Sequence, residues 1–300
     1  MVRPLRLASD IYDLEGKLVA GLGQELSPDF MRGVAEAGLG ARILVPLGER
    51  ETMLADLRGF ISEKPYDLIF AQTARMEKVT HLFADVKMHP AVFEIIEKFK
   101  EGDFYTYRHC MTVGALATLI SFDIPSIYQQ PRIAVTVAPS HDVGKIGVPL
   151  EILRKTEPLT REELAVIRGH ATAGFVLLTY YMGFENPLSC QVAFEHHETC
   201  SGTGYPRGIT LSDEIVELVA ACDTFDALIS PRPYRANSYD HRSALEALCD
   251  AAEKGALRWT PVKLLISYSR ATKPRLEHVV VSRERRGRPP QGNRYGVIAK

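Results

Sequence analysis

The sequence predicts a mainly α-helical protein in which a small α+β module precedes a larger helical region. Three observations carry that prediction. From residue 49 onward, apolar side chains recur at intervals of three and four, the period of a helix with one buried face. Helix starts are marked by Ser27-Pro28 and by the capping box Thr160-Arg161-Glu162-Glu163. Alternation of apolar and polar residues, the period of a half-buried strand, is carried by residues 8–23.

Three hundred residues suffice for one small and one larger domain. The formal net charge is −1, so no global field draws the chain to nucleic acid or to a membrane surface, and an anionic ligand must be met by local basic groups. The five cysteines (Cys110, Cys190, Cys200, Cys222, Cys249) are odd in number and lack Cys-x-x-Cys spacing. That pattern argues against a disulfide framework or zinc ribbon and for a reducing, cytoplasmic setting. No stretch has the form of a signal peptide or of a membrane span, which needs about 18 apolar residues, and no internal repeat is visible.

Taken in order, Asp13-Leu14-Glu15-Gly16 reads as the turn of a short hairpin between Ile11-Tyr12 and Leu18-Val19. Ser27 suits an N-cap and Pro28 a first turn, with Phe30, Met31, Val34 and Ala37 on the inner face and Gly38-Leu39-Gly40 as the stop. Ile43-Leu44-Val45 returns as a strand. Residues 49–64 form a helix carrying Met53, Leu54, Leu57 and Phe60, and residues 67–98 continue as one or two more, with Pro90 starting the last. His81 and His89 fall here without acidic or thiol partners in register, and read as surface or packing residues. Further helices are expected over 131–140, from Thr160, over 186–198, from Ser243 and over 262–268. Val135-Thr136-Val137 alone favours strand, and Pro139 must disturb a last helical turn. Val279-Val280-Val281 suggests a short strand in a basic end that includes Arg283, Arg285, Arg286 and Arg288; this end is expected to lie as a flap against the helices.

The chemistry centres on His141-Asp142-Val143-Gly144-Lys145, adjacent imidazole and carboxylate ligands with a lysine three residues on. A second cluster is His196-His197-Glu198. Asp223 closes the apolar run Ile215-Val216-Glu217-Leu218-Val219-Ala220-Ala221-Cys222, where an unpaired carboxylate is costly and a metal ion compensates.

Three blocks resemble the HD-GYP branch of the HD phosphohydrolases. They are His141-Asp142-Val143-Gly144-Lys145-Ile146-Gly147-Val148-Pro149, then His196-His197-Glu198 running into Gly202-Thr203-Gly204-Tyr205-Pro206, then Asp223-Thr224-Phe225-Asp226-Ala227-Leu228 with Arg232-Pro233-Tyr234-Arg235. The similarity runs from about residue 98 to the carboxyl end. It implies a helical HD-type metallohydrolase bundle over residues 89–300, of which 269–300 form a basic extension, behind an accessory α+β module at residues 1–88.

The resemblance also implies roles. His109, His141, Asp142 and Asp223 would hold one metal, while Asp142 bridges to a second held by His170, His196 and His197. Lys145 and Tyr205 would contact the phosphate, and Arg232 and Arg235 would add arginine forks suited to phosphate or guanine edges. Asp142, Lys145 and Tyr205 are then the catalytic set. Five imidazoles and two carboxylates suit iron first, manganese next, with zinc or nickel also admissible. Two such cations would acidify a shared water, giving a bridging hydroxide that attacks phosphorus. The implied activity is hydrolysis of cyclic di-GMP to linear pGpG and onward to GMP. Alternatives are a weak or inactive member that binds metal and ligand and signals through protein partners, or a hydrolase of another cyclic dinucleotide; a homodimer is compatible with either. Two departures from the family pattern stand out. Tyr105 occupies a position where many members carry a third-metal glutamate, which argues for two metals, and Ser201 replaces the aspartate usual before the tyrosine loop.

Overall fold

Two short β ladders and a succession of helices make up the computed structural model, which describes residues 4–38, 44–127, 130–183, 186–231 and 237–290. β1 (Ile11–Tyr12) and β2 (Leu18–Ala20) form the expected antiparallel hairpin, with Ile11 opposite Ala20. The Asp13 carboxylate fixes its turn by accepting from the amides of Glu15 at 3.1 Å and Lys17 at 2.8 Å. α1 (Pro28–Ala37) starts where Ser27 Oγ accepts from the Phe30 amide at 3.2 Å. Of the strand expected at residues 43–45, Ile43 lies outside the described residues. β3 (Val45–Pro46) pairs antiparallel with β4 (Lys87–Met88).

Between β3 and β4 lie α2 (Glu51–Ser62) and α3 (Thr73–Asp85). The helical pattern of residues 67–98 is therefore interrupted. It restarts as α4 (Pro90–Gly102), whose free first-turn donor at Ala91 is accepted by His89 Nδ1 at 3.2 Å. His89 is thus a capping residue, stacked on Tyr181; His81, contrary to the expectation, does have an acid in helical register, Asp85 at 3.7 Å one turn on, and the pair lies at the surface.

α5 (Phe104–Ser121) is the central helix: from Thr106 to Ser121 every residue but Arg108 is buried. A helix apolar on all sides has to be enclosed. It packs against α4, α6 (Arg132–Val137) and α11 (Glu214–Ile229). The strand-like Val135-Thr136-Val137 is helical because Val135 and Val137 are buried against that centre, so packing overrides propensity. Pro139 then ends α6 in a 3₁₀ turn at Ala138–Ser140.

After a second 3₁₀ turn (Val143–Gly147) come α7 (Leu150–Leu153), α8 (Arg161–Arg168), α9 (His170–Met182) and α10 (Pro187–Glu195). Both halves of the Thr160/Glu163 capping box form, at 3.2 and 2.7 Å. α10 ends at Glu195, so the histidine doublet lies just beyond it, not inside its last turn as the 186–198 expectation had it. α12 (His241–Glu253) and α13 (Trp259–Tyr268) complete the bundle.

The strand expected at Val279–Val281 is absent. A 3₁₀ turn (Leu276–His278) leads into irregular chain there, because a strand needs a partner edge and both described ladders lie elsewhere. The basic end does lie along the helices: Arg285 meets Asp250 and Glu253 of α12, each at 2.7 Å. Buried side chains from Leu7 to Val279 form one continuous core, with α1 packed on α9. Among the described residues no helix is long and apolar enough to cross a membrane.

Leu116, fully buried on α5, sets a test of this arrangement. Leu116→Ala is expected to reduce unfolding free energy by about 2–5 kcal/mol, seen as a lower urea midpoint. A loss below about 0.5 kcal/mol would be a surface value and incompatible with a central α5.

Candidate metal centre

Five separated segments bring polar side chains into the apolar interior. His109 comes from α5, His141 and Asp142 from the turn after α6, and His170 from the first residue of α9. His196 and His197 follow α10, and Asp223 sits on α11. All are buried except His197, whose side chain is 22% exposed. Gly144 makes this approach sterically possible: a Cβ there would lie 2.0 Å from the His170 carbonyl oxygen and 2.4 Å from the Gly174 nitrogen.

Four of the five imidazoles are pinned through Nδ1. His141 Nδ1 donates to the Ala138 carbonyl at 2.7 Å and His170 Nδ1 to that of Ile167 at 2.5 Å. His196 Nδ1 donates to the carbonyls of Val192 and Ala193 at 3.0 and 3.1 Å. His109 Nδ1 reaches Asp226 Oδ2 at 2.7 Å. A proton held on Nδ1 leaves the Nε2 lone pair of a neutral ring pointing inward. These nitrogens converge, with His109 Nε2 3.3 Å from His141 Nε2 and His170 Nε2 3.3 Å from His196 Nε2.

Asp142 lies between the two pairs. Its Oδ2 is 3.4 Å from the Nε2 atoms of both His109 and His141, and its Oδ1 is 3.3 and 3.7 Å from those of His170 and His196. Oδ1 is buried without a hydrogen-bond donor. Asp223 Oδ1 lies 3.1 Å from His109 Nε2, and Asp223 Oδ2 lies 3.9 Å from His197 Nδ1. Lone pairs facing lone pairs around an unsatisfied carboxylate oxygen repel one another, and a cation among them reverses the sign of every contact. Three overlapping sets have donor atoms within 4.8 Å of one another: His109, His141 and Asp223; His141, Asp142 and His196; His170, His196 and His197. The nitrogen and oxygen donors fit a divalent first-row metal.

Protonation agrees with ligation. Burial drives the imidazole pKa of His170 down to about 4 and of His196 to about 3, and takes that of His197 well below the ordinary histidine value. Burial by itself would raise Asp142, but Lys145, His141 and His109 overcome it and hold the carboxyl well below its usual range. Burial likewise opposes ionisation of Asp223, and His109 outweighs it. For His109 burial is also outweighed: Asp142, Asp223 and Asp226 raise it well above the ordinary value, the signature of a site seeking positive charge. At neutral pH His170, His196 and His197 are therefore neutral imidazoles and Asp142 and Asp223 ionised carboxylates, the forms that bind metal, whereas His109 has to release its Nε2 proton as the metal enters.

Three residues to which the sequence assigned no function support these groups. Asp226, one helical turn beyond Asp223, is fully buried and accepts from Thr112 Oγ1 at 2.6 Å, from Tyr66 Oη and from His109 Nδ1. Tyr66 Oη also lies 2.8 Å from Ser230 Oγ. The three-residue spacing to Asp223 was the available signal for Asp226; none pointed to Tyr66. Glu198 accepts from the amides of Arg207 at 2.7 Å, Gly208 at 3.1 Å and Ile209 at 3.0 Å, and so shapes the tyrosine loop.

In that loop the Tyr205 ring stacks on His197 with centroids 4.6 Å apart, which places it at the edge of the cluster. Gly204 is obligatory, since a Cβ would fall 2.3 Å from the His197 carbonyl oxygen. Ser201 Oγ lies 3.0 Å from Thr203 Oγ1 and 3.2 Å from Thr199 Oγ1, keeping a polar link within the loop. Lys145 Nζ sits 2.5 Å from Asp142 Oδ2, and Tyr105 stacks on His109 at 5.7 Å. Arg232 and Arg235 lie outside the described residues.

Residues 131–256 match the HD domain family. The chain is 37% identical over 151 residues to a cyclic di-GMP phosphodiesterase of Thermotoga maritima, covering 48% of this chain and 40% of the relative. It is 34% identical over 161 residues to a cyclic di-GMP phosphodiesterase of Pseudomonas aeruginosa, covering 52% and 38%. A 3'3'-cGAMP-specific phosphodiesterase of Vibrio cholerae is 32% identical over 133 residues, covering 44% and 30%. The chain thus spans 40% or less of the length of these relatives. The matches bear out the HD-GYP resemblance of the motifs.

The support of His109 by Asp226 is open to measurement. Asp226→Asn is expected to weaken metal binding roughly 10–100-fold in chelator competition with an unchanged far-ultraviolet circular dichroism spectrum, and Tyr66→Phe to weaken it less. Unaltered affinity in Asp226→Asn would show that the carboxylate does not orient the ligand.

Proposed function

We propose that this chain, whose residues 131–256 are an HD domain, is a metal-dependent phosphodiesterase acting on a cyclic dinucleotide, with cyclic di-GMP as substrate and linear pGpG, then GMP, as products. The observation that carries the proposal is Asp142, buried with one oxygen toward each pair of inward-facing imidazoles and no donor on Oδ1. The names of the relatives supply the substrate class. The reading assigns two metals, iron before manganese, zinc or nickel: one to His109, His141, Asp142 and Asp223, the other to Asp142, His170, His196 and His197. It assigns the activity to residues 89–300 and an accessory role to residues 1–88.

When bound, the metals supply positive charge that acidifies water and polarises the phosphoryl group. The protein's own groups do the rest. Pinning of Nδ1, by backbone carbonyls for His141, His170 and His196 and by Asp226 for His109, fixes four of the five ligand rings, so little reorganisation is needed as the reaction proceeds. Lys145 stands on a flexible stem beside Asp142 and can turn its ammonium to a nonbridging phosphoryl oxygen, where negative charge grows in the transition state. Tyr205, backed by His197 and with the Arg168 guanidinium 4.9 Å from its ring centroid, can donate its hydroxyl to the phosphate. By the resemblance, Arg232 and Arg235 share this anion-binding role.

Tyr105 motivates a second reading, binding without turnover, because its phenol occupies the helical turn before His109 and offers a poor ligand to a hard cation. Purified protein loaded separately with iron, manganese, zinc or nickel should convert cyclic di-GMP to the linear dinucleotide. Tight binding with no product under any metal would replace hydrolysis by the second reading. Elemental analysis is expected to return about two metal ions per chain. Lys145→Ala should lower kcat by roughly 10²–10³-fold while metal content stays the same, and an undiminished kcat would remove the lysine from the transition state.

A further inference from the structure

Beside the metal-centre residues opens a cleft of about 400 Å³ lined by Asp103, Phe104, Tyr105, Arg108, Arg154 and Pro231. Its size is that of a small-molecule site. Tyr105 joins it to the centre, since the same ring stacks on His109. We infer that this cleft is the base-recognition subsite and that it takes a guanine of the substrate; the inference rests on the cyclic-dinucleotide reading of the function.

A flat base needs a flat apolar wall. Phe104 is 51% exposed, and its ring is held by Phe60, at 5.8 Å and 80°, and by Tyr107, at 5.9 Å and 47°. It is therefore a braced aromatic surface at the head of α5, of the kind on which a base stacks.

Guanine also needs donors opposite O6 and N7 and an acceptor opposite N1–H and the 2-amino group. The guanidinium fork matches the first edge. Arg154 is exposed and has no carboxylate within ion-pair distance among the described residues. The Arg108 guanidinium is steadied by the Tyr66 ring, 5.6 Å from its centroid, and likewise makes no ion pair among the described residues. Both forks thus remain available to a ligand. Asp103 supplies the acceptor: it is buried, and Thr106 Oγ1 donates to its Oδ2 at 2.6 Å, which orients the carboxylate and leaves the second oxygen.

Adenine inverts this pattern, with an amino donor where guanine has O6 and no proton on N1, so it would set donor against donor at the arginines and leave Asp103 unmatched. A phosphate would use the two arginines, but Asp103 would oppose it and the Phe104 wall would have no purpose. The full set of groups is matched by guanine.

The test measures binding by equilibrium dialysis and hydrolysis rates for cyclic di-GMP and cyclic di-AMP, using the metal-loaded full chain and its Arg154→Ala and Phe104→Ala variants. The wild type is expected to prefer cyclic di-GMP by roughly tenfold or more, and Arg154→Ala to lose at least about fivefold of that preference. Phe104→Ala should weaken both ligands by about fivefold or more, because stacking is indifferent to the base. Equal affinity for the two dinucleotides in the wild type, or an unchanged preference in Arg154→Ala, overturns the guanine subsite while leaving the phosphodiesterase reading intact. Failure of the wild type to bind either dinucleotide overturns both.

Discussion

One buried carboxylate organises this protein. Asp142 is fully enclosed, ionised, and faced on both oxygens by imidazole nitrogens that cannot all donate to it. Left without compensation, such a group would cost several kcal/mol. Its tolerance requires positive charge at the same point, and the surroundings converge on supplying it: Lys145 contacts Oδ2, His109 is pushed toward its protonated form, and the remaining rings present lone pairs to a cation.

That requirement reaches outward through the backbone. Three of the four pinned rings borrow a carbonyl from their own neighbourhood: Ala138 in the 3₁₀ turn, Ile167 in α8, Val192 and Ala193 in α10. The proline-ended α6 and the break between α8 and α9 are therefore parts of the centre as well as of the fold. At these helix ends a histidine three or four residues beyond a carbonyl shares it between backbone and ring: His141 sets both its amide and Nδ1 on Ala138, and His196 both on Val192. Only His109 lies within a long helix, and it takes a carboxylate, Asp226, instead.

Asp226 also ties the first third of the chain to the centre. Tyr66, between α2 and α3, is fully buried and reaches the same carboxylate that steadies His109. Its ring supports Arg108, the one residue of α5 after Thr106 that escapes burial. Changes in the packing of α2 and α3 thus have a short physical path, one phenol and one carboxylate, to a metal-binding ring and to the cleft beside it. A single core running from Leu7 to Val279 gives that path rigidity.

The residues by themselves determined the helical class, the hairpin at residues 11–20, the capping box at Thr160 and the groups able to bind metal, because each depends on local periodicity or on the chemistry of neighbouring side chains. The resemblance carried His109 and His170 into that set. The resemblance also gave a helix over 131–140 against the strand propensity of Val135–Val137, and α6 bears it out. Tertiary structure alone decided that α10 stops before the histidine doublet and that the valines at 279–281 form no strand, because a partner edge is supplied by distant chain. It also decided that Tyr66 and Asp226 stand behind His109, across 160 residues in one case and 117 in the other. A hydrogen bond between such distant positions leaves no period in the sequence, since its geometry is set only when α3, α5 and α11 have packed.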